Sequence, residues 1–172
     1  DPDHQAKALE MIRTKIAALG MFVVGFRDVP VNPNFLGEDA RNSMPAIKQV
    51  FVSLAGTDRD DFERRLFLAR RSIELLSVER DFTPFYVASL SSQTIVYKAM
   101  VLSKRLADFY PDLGDPDYHC SACVFHQRFS TNTSPQWELC QPLRMSAHNG
   151  EINTIRGNRN WMTSREASFS HP

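Results

Sequence analysis

Hydrophobic residues recur every three or four positions in two long stretches of the chain. The first stretch, residues 5–19, has helical spacing and is followed by Gly20, a residue type that commonly ends helices. A second, longer helix is predicted after residues 58–61, whose aspartates can cap its first turn. Its apolar stripe is expected to consist of Phe62, Leu66, Leu68, Ala69, Ile73 and Leu76. The arginines at positions 64, 65, 70 and 71 are predicted to form a solvated face of this helix.

Shorter apolar or alternating runs predict strands. Residues 21–26 and 47–54 are two such runs, and a connection with two prolines is expected at residues 28–34. Residues 85–90 and 94–99 are β-rich and separated by Ser-Ser-Gln, which predicts a hairpin. The remaining predicted elements are a helix at residues 102–110, strands at 122–125 and 144–147, and a helix from residue 151 to about residue 167. Because helices and strands are mixed and a hairpin is expected, we predict an α+β fold with a substantial antiparallel sheet.

Composition sets the class of protein. The chain has 172 residues, of which 42% are hydrophobic, and this suits one globular domain over residues 1–172 with its own core. The formal net charge is zero, so no nucleic-acid binding through a basic surface is expected. No apolar run approaches the length of a membrane span, so we expect no membrane insertion. The start has neither a signal-peptide pattern nor an initiator methionine, and we expect a processed product or a piece of a longer chain.

The cysteines leave three interpretations open. Their odd number argues against a secreted disulfide framework. His119, Cys120, Cys123 and Cys140 could together supply the four ligands of a zinc site. Cys120 and Cys123 also have the spacing of a redox pair, although no helix start follows Cys120 to activate it. Buried reduced thiols are the simplest interpretation, and we expect no metal site.

The last third of the chain concentrates polar residues at the ends of predicted strands. Arg128 could grip a carboxylate through its guanidinium group with help from the Thr131 hydroxyl, or it could cap a neighbouring turn. Asn149 and Gly150 could supply an amide and a backbone N–H to an oxyanion hole, but Asn-Gly is also a common turn. The polar residues 153–161 lack the glycines and lysine of a phosphate loop and are expected to support the elements before them.

These motifs resemble one enzyme family. The strings HQRFSTNT at residues 126–133 and QPLRMSAHNGEINTIRGNRNWM at residues 141–162 resemble the glutaminase domain of glutamate synthase large subunits. Such domains are class II glutamine amidotransferases of the N-terminal-nucleophile hydrolase superfamily. The resemblance extends from about Gly20 through the shorter strings GFRDVPV (25–31), SMPAIKQVF (43–51), SLSSQTIVYK (89–98) and FYPDL (109–113).

The resemblance implies a fold and a mechanism. The fold is a four-layer αββα sandwich of antiparallel sheets. In the mechanism, an N-terminal cysteine attacks the side-chain amide of L-glutamine, with its own α-amino group or a water as base. A γ-glutamyl thioester forms, ammonia leaves, and water releases glutamate.

The same resemblance assigns roles to residues of this chain. Arg128 matches the group that binds the glutamine α-carboxylate, and Thr131 matches a hydroxyl of that pocket. Asn149 and Gly150 match the oxyanion hole. The remaining polar neighbours, namely His148, Asn160 and Trp161, are expected to be structural.

The chain also departs from the family pattern. It begins with Asp1, and Cys120, Cys123 and Cys140 have no free α-amino group, so none of them matches the nucleophile. An early arginine and the acidic residue that binds the substrate α-amino group have no match either. We therefore expect an incomplete, internal piece of the domain that does not hydrolyse glutamine alone. The alternatives are a non-catalytic amidotransferase-like domain for regulation or assembly, and a zinc or redox module around residues 119–140.

The resemblance implies further components outside this chain. The parent enzyme would pass ammonia through a tunnel to 2-oxoglutarate and reduce the imine at FMN with electrons from an iron–sulfur cluster. We expect no cofactor within these 172 residues. The expected partners are L-glutamine, the remaining domains of the large subunit and a small reductase subunit. The expected location is the cytoplasm, or the plastid in a plant or alga.

Overall fold

A computed structural model describes residues 2–56, 58–129, 134–141 and 154–169 of the chain. The helices and strands in chain order are α1 (Pro2–Ala17), β1 (Phe22–Asp28), α2 (Glu38–Asn42), β2 (Lys48–Ser53), α3 (Arg59–Glu79), α4 (Leu106–Phe109) and α5 (Arg156–Glu166). Short 3-10 helices span Pro33–Phe35, Ser103–Arg105 and Pro111–Gly114. Helices thus accompany an antiparallel sheet, and the α+β class is confirmed.

The first helix ends at Ala17, two residues before the predicted end, and the predicted stop, Gly20, lies in the turn that follows. The chain leaves α1 through a turn, and Gly20 adopts a φ of +72°, a conformation that side chains other than glycine rarely take. The backbone carbonyl of Leu19, which lies in this turn, accepts a 2.8 Å hydrogen bond from Arg65 Nη1 on α3. The turn is therefore fixed both by its own glycine and by a long-range contact.

Strands β1 and β2 pair as an antiparallel sheet whose register runs from Phe22 opposite Ser53 to Asp28 opposite Lys48. Both strands agree with the sequence prediction. One face of the sheet packs on α1 and α3 around a buried cluster of Ile16, Met21, Leu66 and Ala69, with Val23, Val50 and Val52 against it. This cluster is the core beneath the sheet.

Helix α3 begins at the predicted cap, because the Asp58 carboxylate accepts a 2.8 Å hydrogen bond from a backbone N–H of the first turn. Leu66, Ala69 and Ile73 of the predicted stripe are buried. Leu68 is 44% exposed, so its place in the stripe is wrong. Two positions along a helix correspond to a rotation of about 200°, which turns Leu68 away from the face that contains Leu66.

The arginines of α3 do not all form a solvated face. Arg64 and Arg71 are exposed, as predicted. Arg70 has a side chain only 15% exposed and donates a 2.6 Å hydrogen bond to Glu74, while Arg65 contacts the turn after α1. For Arg70 the prediction is wrong, because its side chain is mostly buried. Arg65 is only partly exposed, because its guanidinium group bonds the carbonyl oxygen of Leu19.

A second buried cluster is separate from the one beneath the sheet. It consists of Val29, Leu36, Ala40, Phe109, Tyr110 and Trp137. The helix predicted at residues 102–110 contributes to it, although this helix is divided into a 3-10 turn at Ser103–Arg105 and α4 at Leu106–Phe109. The cluster joins the middle of the chain to residue 137, which lies in the last third.

The predicted hairpin over residues 85–99 is wrong, since these residues are all described and contain no strand. Side chains satisfy their backbone groups instead. The Glu63 carboxylate accepts hydrogen bonds from Ser91 Oγ and Ser92 N. Ser91 Oγ in turn accepts hydrogen bonds from the backbone N–H groups of Gln93 and Thr94. These hydrogen bonds replace those of a strand partner.

Three further predictions concern the last third. Residues 122–125 are described and form no strand, so the prediction of a strand there is wrong. The strand predicted at residues 144–147 lies outside the described residues. The final helix is confirmed as α5, which begins at Arg156 rather than at residue 151 and ends at Glu166.

Candidate functional site

The structure places Arg128 on the surface. Its side chain is exposed, and the residue belongs to neither a helix nor a strand; among the described residues no hydrogen bond or ion pair occupies its guanidinium group. Thr131, Asn149 and Gly150 lie outside the described residues. The structure therefore gives the surroundings of one of the four candidate residues, and the distances between the four stay untested.

The cysteines do not converge. Cys120 and Cys123 are exposed, so the prediction of buried thiols is wrong for these two, whereas Cys140 is buried as predicted. Across the described part of the chain, which includes all three cysteines and His119, no group of three or more His, Cys, Asp or Glu side chains could hold a metal ion. The zinc interpretation therefore has no geometric support. Among the described helices none is long and apolar enough to cross a bilayer.

Residues 134–141 are named here the connecting segment. In the sequence they lie between the candidate residues Arg128 and Thr131 on one side and Asn149 and Gly150 on the other. Trp137 of this segment is only 5% exposed and contacts Phe109 in the second cluster. Its indole Nε1 donates a 3.1 Å hydrogen bond to the carbonyl oxygen of Ala40 at the end of α2. Cys140 is 3% exposed, and burial raises the pKa of its thiol to about 11. The connecting segment is thus firmly attached to the body of the protein.

A buried lysine also holds the connecting segment. Lys98 is 8% exposed, and its Nζ donates a 2.7 Å hydrogen bond to the carbonyl oxygen of Glu138. The ammonium group lies 4.8 Å from the centroid of the Tyr86 ring, a cation–π distance. Burial lowers the pKa of Lys98, because the charged form loses its hydration. Burial likewise raises the pKa of Tyr86 to about 12.

A polar network around Asp112 lies shortly before Arg128 in the sequence. Asp112, in the 3-10 helix Pro111–Gly114, accepts hydrogen bonds from Arg27 Nη2 at 2.6 Å and from the Tyr97 hydroxyl at 3.1 Å. The hydrogen bond from Arg27 lowers the pKa of the Asp112 carboxyl group. Burial, with the nearby Asp112 carboxylate, raises the pKa of Tyr97 to about 12. The Tyr97 ring also meets Tyr118 edge-on at 5.9 Å, ten positions before Arg128.

Helix α5 takes no part in the described core. Its residues are exposed along the whole helix, and Trp161 is 79% exposed. The expectation that Trp161 supports the fold is therefore not met within the described residues. Its apolar side chain, with Met162, is presented outward.

Sequence reasoning did not single out Lys98 or Trp137. A signal was present for each: a lysine interrupts the apolar run TIVYKAM, and a tryptophan stands between the polar residues of SPQWELCQ. A buried lysine is uncommon in folded proteins, so a lysine in an apolar run is worth examining for a specific partner.

Comparisons with known proteins give the family. The family model described as class-II glutamine amidotransferases matches residues 1–172. Ferredoxin-dependent glutamate synthase 2, chloroplastic, from Arabidopsis thaliana is 47% identical over 174 aligned residues, which cover 100% of this chain and 11% of that protein. Ferredoxin-dependent glutamate synthase 1 from the same plant is 48% identical, covering 98% of this chain and 10% of that protein.

A bacterial relative agrees with the plant proteins. The glutamate synthase [NADPH] large chain of Azospirillum brasilense is 43% identical over 171 residues, covering 99% of this chain and 11% of that protein. The chain thus spans about a tenth of the length of the curated relatives that it matches. Since the family model covers the whole chain and these relatives align over nearly all of it, the chain belongs to the class-II glutamine amidotransferases.

Proposed function

We propose that this chain is the glutaminase portion of a glutamate synthase, which hydrolyses L-glutamine to glutamate and ammonia for glutamate synthesis from 2-oxoglutarate. The observation that carries the proposal is the family match over residues 1–172 together with relatives that are named glutamate synthases. Membership in the family identifies the glutamine amide as the reacting group, while the use of the ammonia is taken from the relatives' names.

The proposed chemistry is acyl transfer to a cysteine. The thiolate sulfur adds to the carboxamide carbon, the C–N bond of the tetrahedral intermediate breaks, and ammonia leaves with a proton from the α-amino group of the cysteine. Water then cleaves the thioester and releases glutamate. Arg128 and Thr131 bind the substrate α-carboxylate, and the Asn149 amide and the Gly150 N–H stabilise the oxyanion. The exposed Arg128, with no ion pair among the described residues, is available for this role.

The attacking cysteine is proposed to come from outside these 172 residues. A cysteine that uses its own α-amino group as base must be N-terminal, whereas Cys120, Cys123 and Cys140 are internal. We propose that residues 1–172 form one incomplete amidotransferase domain. Its completed form, called here the complete glutaminase, is a protein in which the flanking segments, beginning with an N-terminal cysteine, accompany this chain.

We propose the four-layer αββα sandwich as the fold of the complete glutaminase. Helices α1 and α3 cover one face of the β1–β2 sheet. Large apolar side chains on the strands, namely Phe22, Val24 and Phe51, remain more than half exposed. An apolar surface of this kind on a two-stranded sheet supports packing of a second sheet against it, as in a sandwich.

The redox components of a glutamate synthase do not fit this chain. An iron–sulfur cluster needs about four thiolate ligands, and the three cysteines here are divided between the surface and the core. We propose that FMN and the cluster belong to other domains of the large subunit, with a small reductase subunit as a further partner. The proposed location is the cytoplasm or, as in the relatives named chloroplastic, the plastid.

Ammonia release from glutamine tests the proposal. The complete glutaminase is expected to release ammonia and glutamate in equal amounts, and replacement of its N-terminal cysteine by alanine should abolish the reaction. The 172-residue chain alone is expected to release none. Glutamine-dependent ammonia release by the chain alone would overturn the assignment of the nucleophile. A mature protein with a different N-terminal residue and no activity would support the non-catalytic alternative.

A further inference from the structure

Two of the three cysteines have no role in the proposed glutaminase chemistry and yet lie at the surface. Cys120 and Cys123 are exposed, whereas Cys140 is only 3% exposed. Cysteine is among the residue types that are most often fully buried, so an exposed pair is unusual. Thiol chemistry requires access for the reagent. Cys120 and Cys123 meet this requirement and Cys140 does not.

The backbone brings the two exposed cysteines towards each other. Two residues separate them, and the chain bends at the first of these, Ser121. Without a bend, Cα atoms three positions apart would be about 10 Å from each other, whereas a disulfide needs a Cα–Cα distance of roughly 4.4–6.8 Å. Residues 120–123 belong to neither a helix nor a strand. The final approach of the two sulfur atoms therefore breaks no hydrogen bond of a helix or sheet.

A single tyrosine lies close to both thiols. Burial raises the pKa of the Tyr118 hydroxyl, and the negative charges of the Cys120 and Cys123 thiolates raise it further. Such an effect weakens with distance, so both sulfur atoms lie in the neighbourhood of this hydroxyl. The Tyr118 ring is itself held in place, because it meets Tyr97 edge-on at a centroid distance of 5.9 Å. The two thiols thus share one fixed neighbour.

The surroundings of the pair favour disulfide formation over metal binding or catalysis. A structural zinc ion takes four protein ligands, and across the part of the chain that the structure describes no third His, Cys, Asp or Glu side chain joins the two thiols. The thiolate of a catalytic cysteine is commonly stabilised by a helix N-terminus. Among the described helices none begins at Cys120. The pair is therefore suited to being oxidised rather than to oxidising other proteins.

We propose that Cys120 and Cys123 form a reversible dithiol–disulfide site that exchanges with a small disulfide, for which oxidised glutathione is the probe. The site is separate from the glutamine chemistry, and the inference does not depend on the proposed function. Its disulfide closes a ring over residues 120–123 and fixes the bend at Ser121.

The exchange proceeds in two steps. One cysteine thiolate attacks a sulfur atom of oxidised glutathione, the S–S bond breaks, and a mixed disulfide forms as one glutathione thiolate leaves. The thiolate of the second cysteine then attacks the protein sulfur of the mixed disulfide, and the second glutathione thiolate leaves. Two electrons pass from the protein thiols to glutathione, and the two protons that these thiols lose are taken up by the leaving thiolates.

Mass spectrometry of the 172-residue chain tests the site. The chain is equilibrated with reduced and oxidised glutathione at a series of ratios, quenched with acid, unfolded and alkylated. Trypsin cleaves after arginine, which places Cys120 and Cys123 in the peptide 106–128 and Cys140 in the peptide 129–144. As oxidised glutathione comes to predominate, the first peptide should lose two hydrogen atoms and take up no alkyl group, and dithiothreitol should reverse this. The second peptide should be alkylated at every ratio.

The native bend should make the disulfide easier to form than in an unfolded chain. The oxidised fraction defines an exchange constant, which should be at least about tenfold larger in the folded chain than in the same chain unfolded in urea. Cys140→Ser is the matched control and should leave this constant unchanged. Cys120→Ser and Cys123→Ser should each retain one glutathione as a mixed disulfide, because the thiol that closes the ring is missing.

Four results would overturn the proposal. The wild-type peptide 106–128 could be fully alkylated at every ratio, it could retain glutathione without closing the ring, or its disulfide could link two chains instead of two residues of one chain. Equal exchange constants in the folded and unfolded chains would be the fourth, because the bend would then contribute nothing to the approach of the thiols.

Discussion

The two tryptophans of the chain test which part of its last third packs against the core. Trp137 is 5% exposed and lies in the second cluster, whereas Trp161 is 79% exposed on α5. Trp137→Ala removes a large buried ring and should lower the free energy of unfolding by about 3–5 kcal/mol. Trp161→Ala changes an exposed side chain and should stay within about 0.5 kcal/mol of wild type.

The hydrogen bond of Trp137 can be separated from its packing. Trp137→Phe keeps an aromatic ring but removes the indole N–H that donates to Ala40. The Ala40 carbonyl belongs to the last turn of α2, and helix ends leave such carbonyls without an intrahelical donor. A buried acceptor left unpaired costs about 1–3 kcal/mol, so Trp137→Phe should fall between wild type and Trp137→Ala.

Urea unfolding followed by circular dichroism measures these differences. Trp161→Phe is a useful background, because it leaves Trp137 as the sole tryptophan and its fluorescence then reports on the second cluster alone. The variants should differ in the midpoint of unfolding rather than in its slope. Equal losses for Trp137→Ala and Trp161→Ala would refute the conclusion that the connecting segment is held by the core and α5 is not.

Three further outcomes are expected from unfolding measurements. Asp58→Ala removes the cap of α3 and should cost about 1 kcal/mol, and a variant as stable as wild type would show that the cap contributes nothing. Gly20→Ala should cost about 1–2 kcal/mol from its positive φ rather than from a clash, and a neutral effect would contradict this conformation. Burial raises the pKa of Tyr86 to about 12 and of Cys140 to about 11, so the folded state keeps these protons after the unfolded state has lost them. Their contribution to stability is full below about pH 9 and is lost as the pH rises towards 12. A urea midpoint that is flat or rises between about pH 11 and 12, above the ordinary pKa of lysine, would contradict this.

Local sequence patterns correctly predicted the features that depend only on neighbouring residues. The chain turns at Gly20 after α1, and the carboxylate of Asp58 caps α3, as the positions of these residues in the sequence indicated. Leu68 was misplaced because an apolar residue was assumed to belong to the apolar stripe, although its angle on the helix places it elsewhere. Angular position should therefore be checked for each member of a stripe.

Elements that depend on distant partners were not predictable in the same way. The β-rich residues 85–99 carry the right residue types for a hairpin, but Glu63 and the local serines satisfy their backbone groups. Residues 122–125 likewise have the pattern of a strand and no strand partner among the described residues. An alternating pattern indicates that a segment can lie in a sheet. Whether it does so depends on a partner strand, and the local pattern does not contain that information.

The candidate site was identified by resemblance rather than by spacing. Taken alone, Arg128 fitted either a carboxylate clamp or a turn cap, and Asn149-Gly150 fitted either an oxyanion hole or a turn. The family match gives the class of domain, and the roles of these residues stay predictions that rest on the resemblance. The contact of Lys98 with Glu138 and the contact of Trp137 with Ala40 required the structure, because each joins residues about 40 or more positions apart in the chain.

The turnover number of an Asn149→Ala variant of the complete glutaminase tests the central claim most directly. If the Asn149 amide stabilises the oxyanion, kcat for ammonia release from glutamine should fall about 100- to 1000-fold, with little change in KM, because the lost hydrogen bond acts in the transition state. A variant that keeps the wild-type kcat would contradict the assignment of Asn149 and Gly150 to the oxyanion hole, and with it the proposed site.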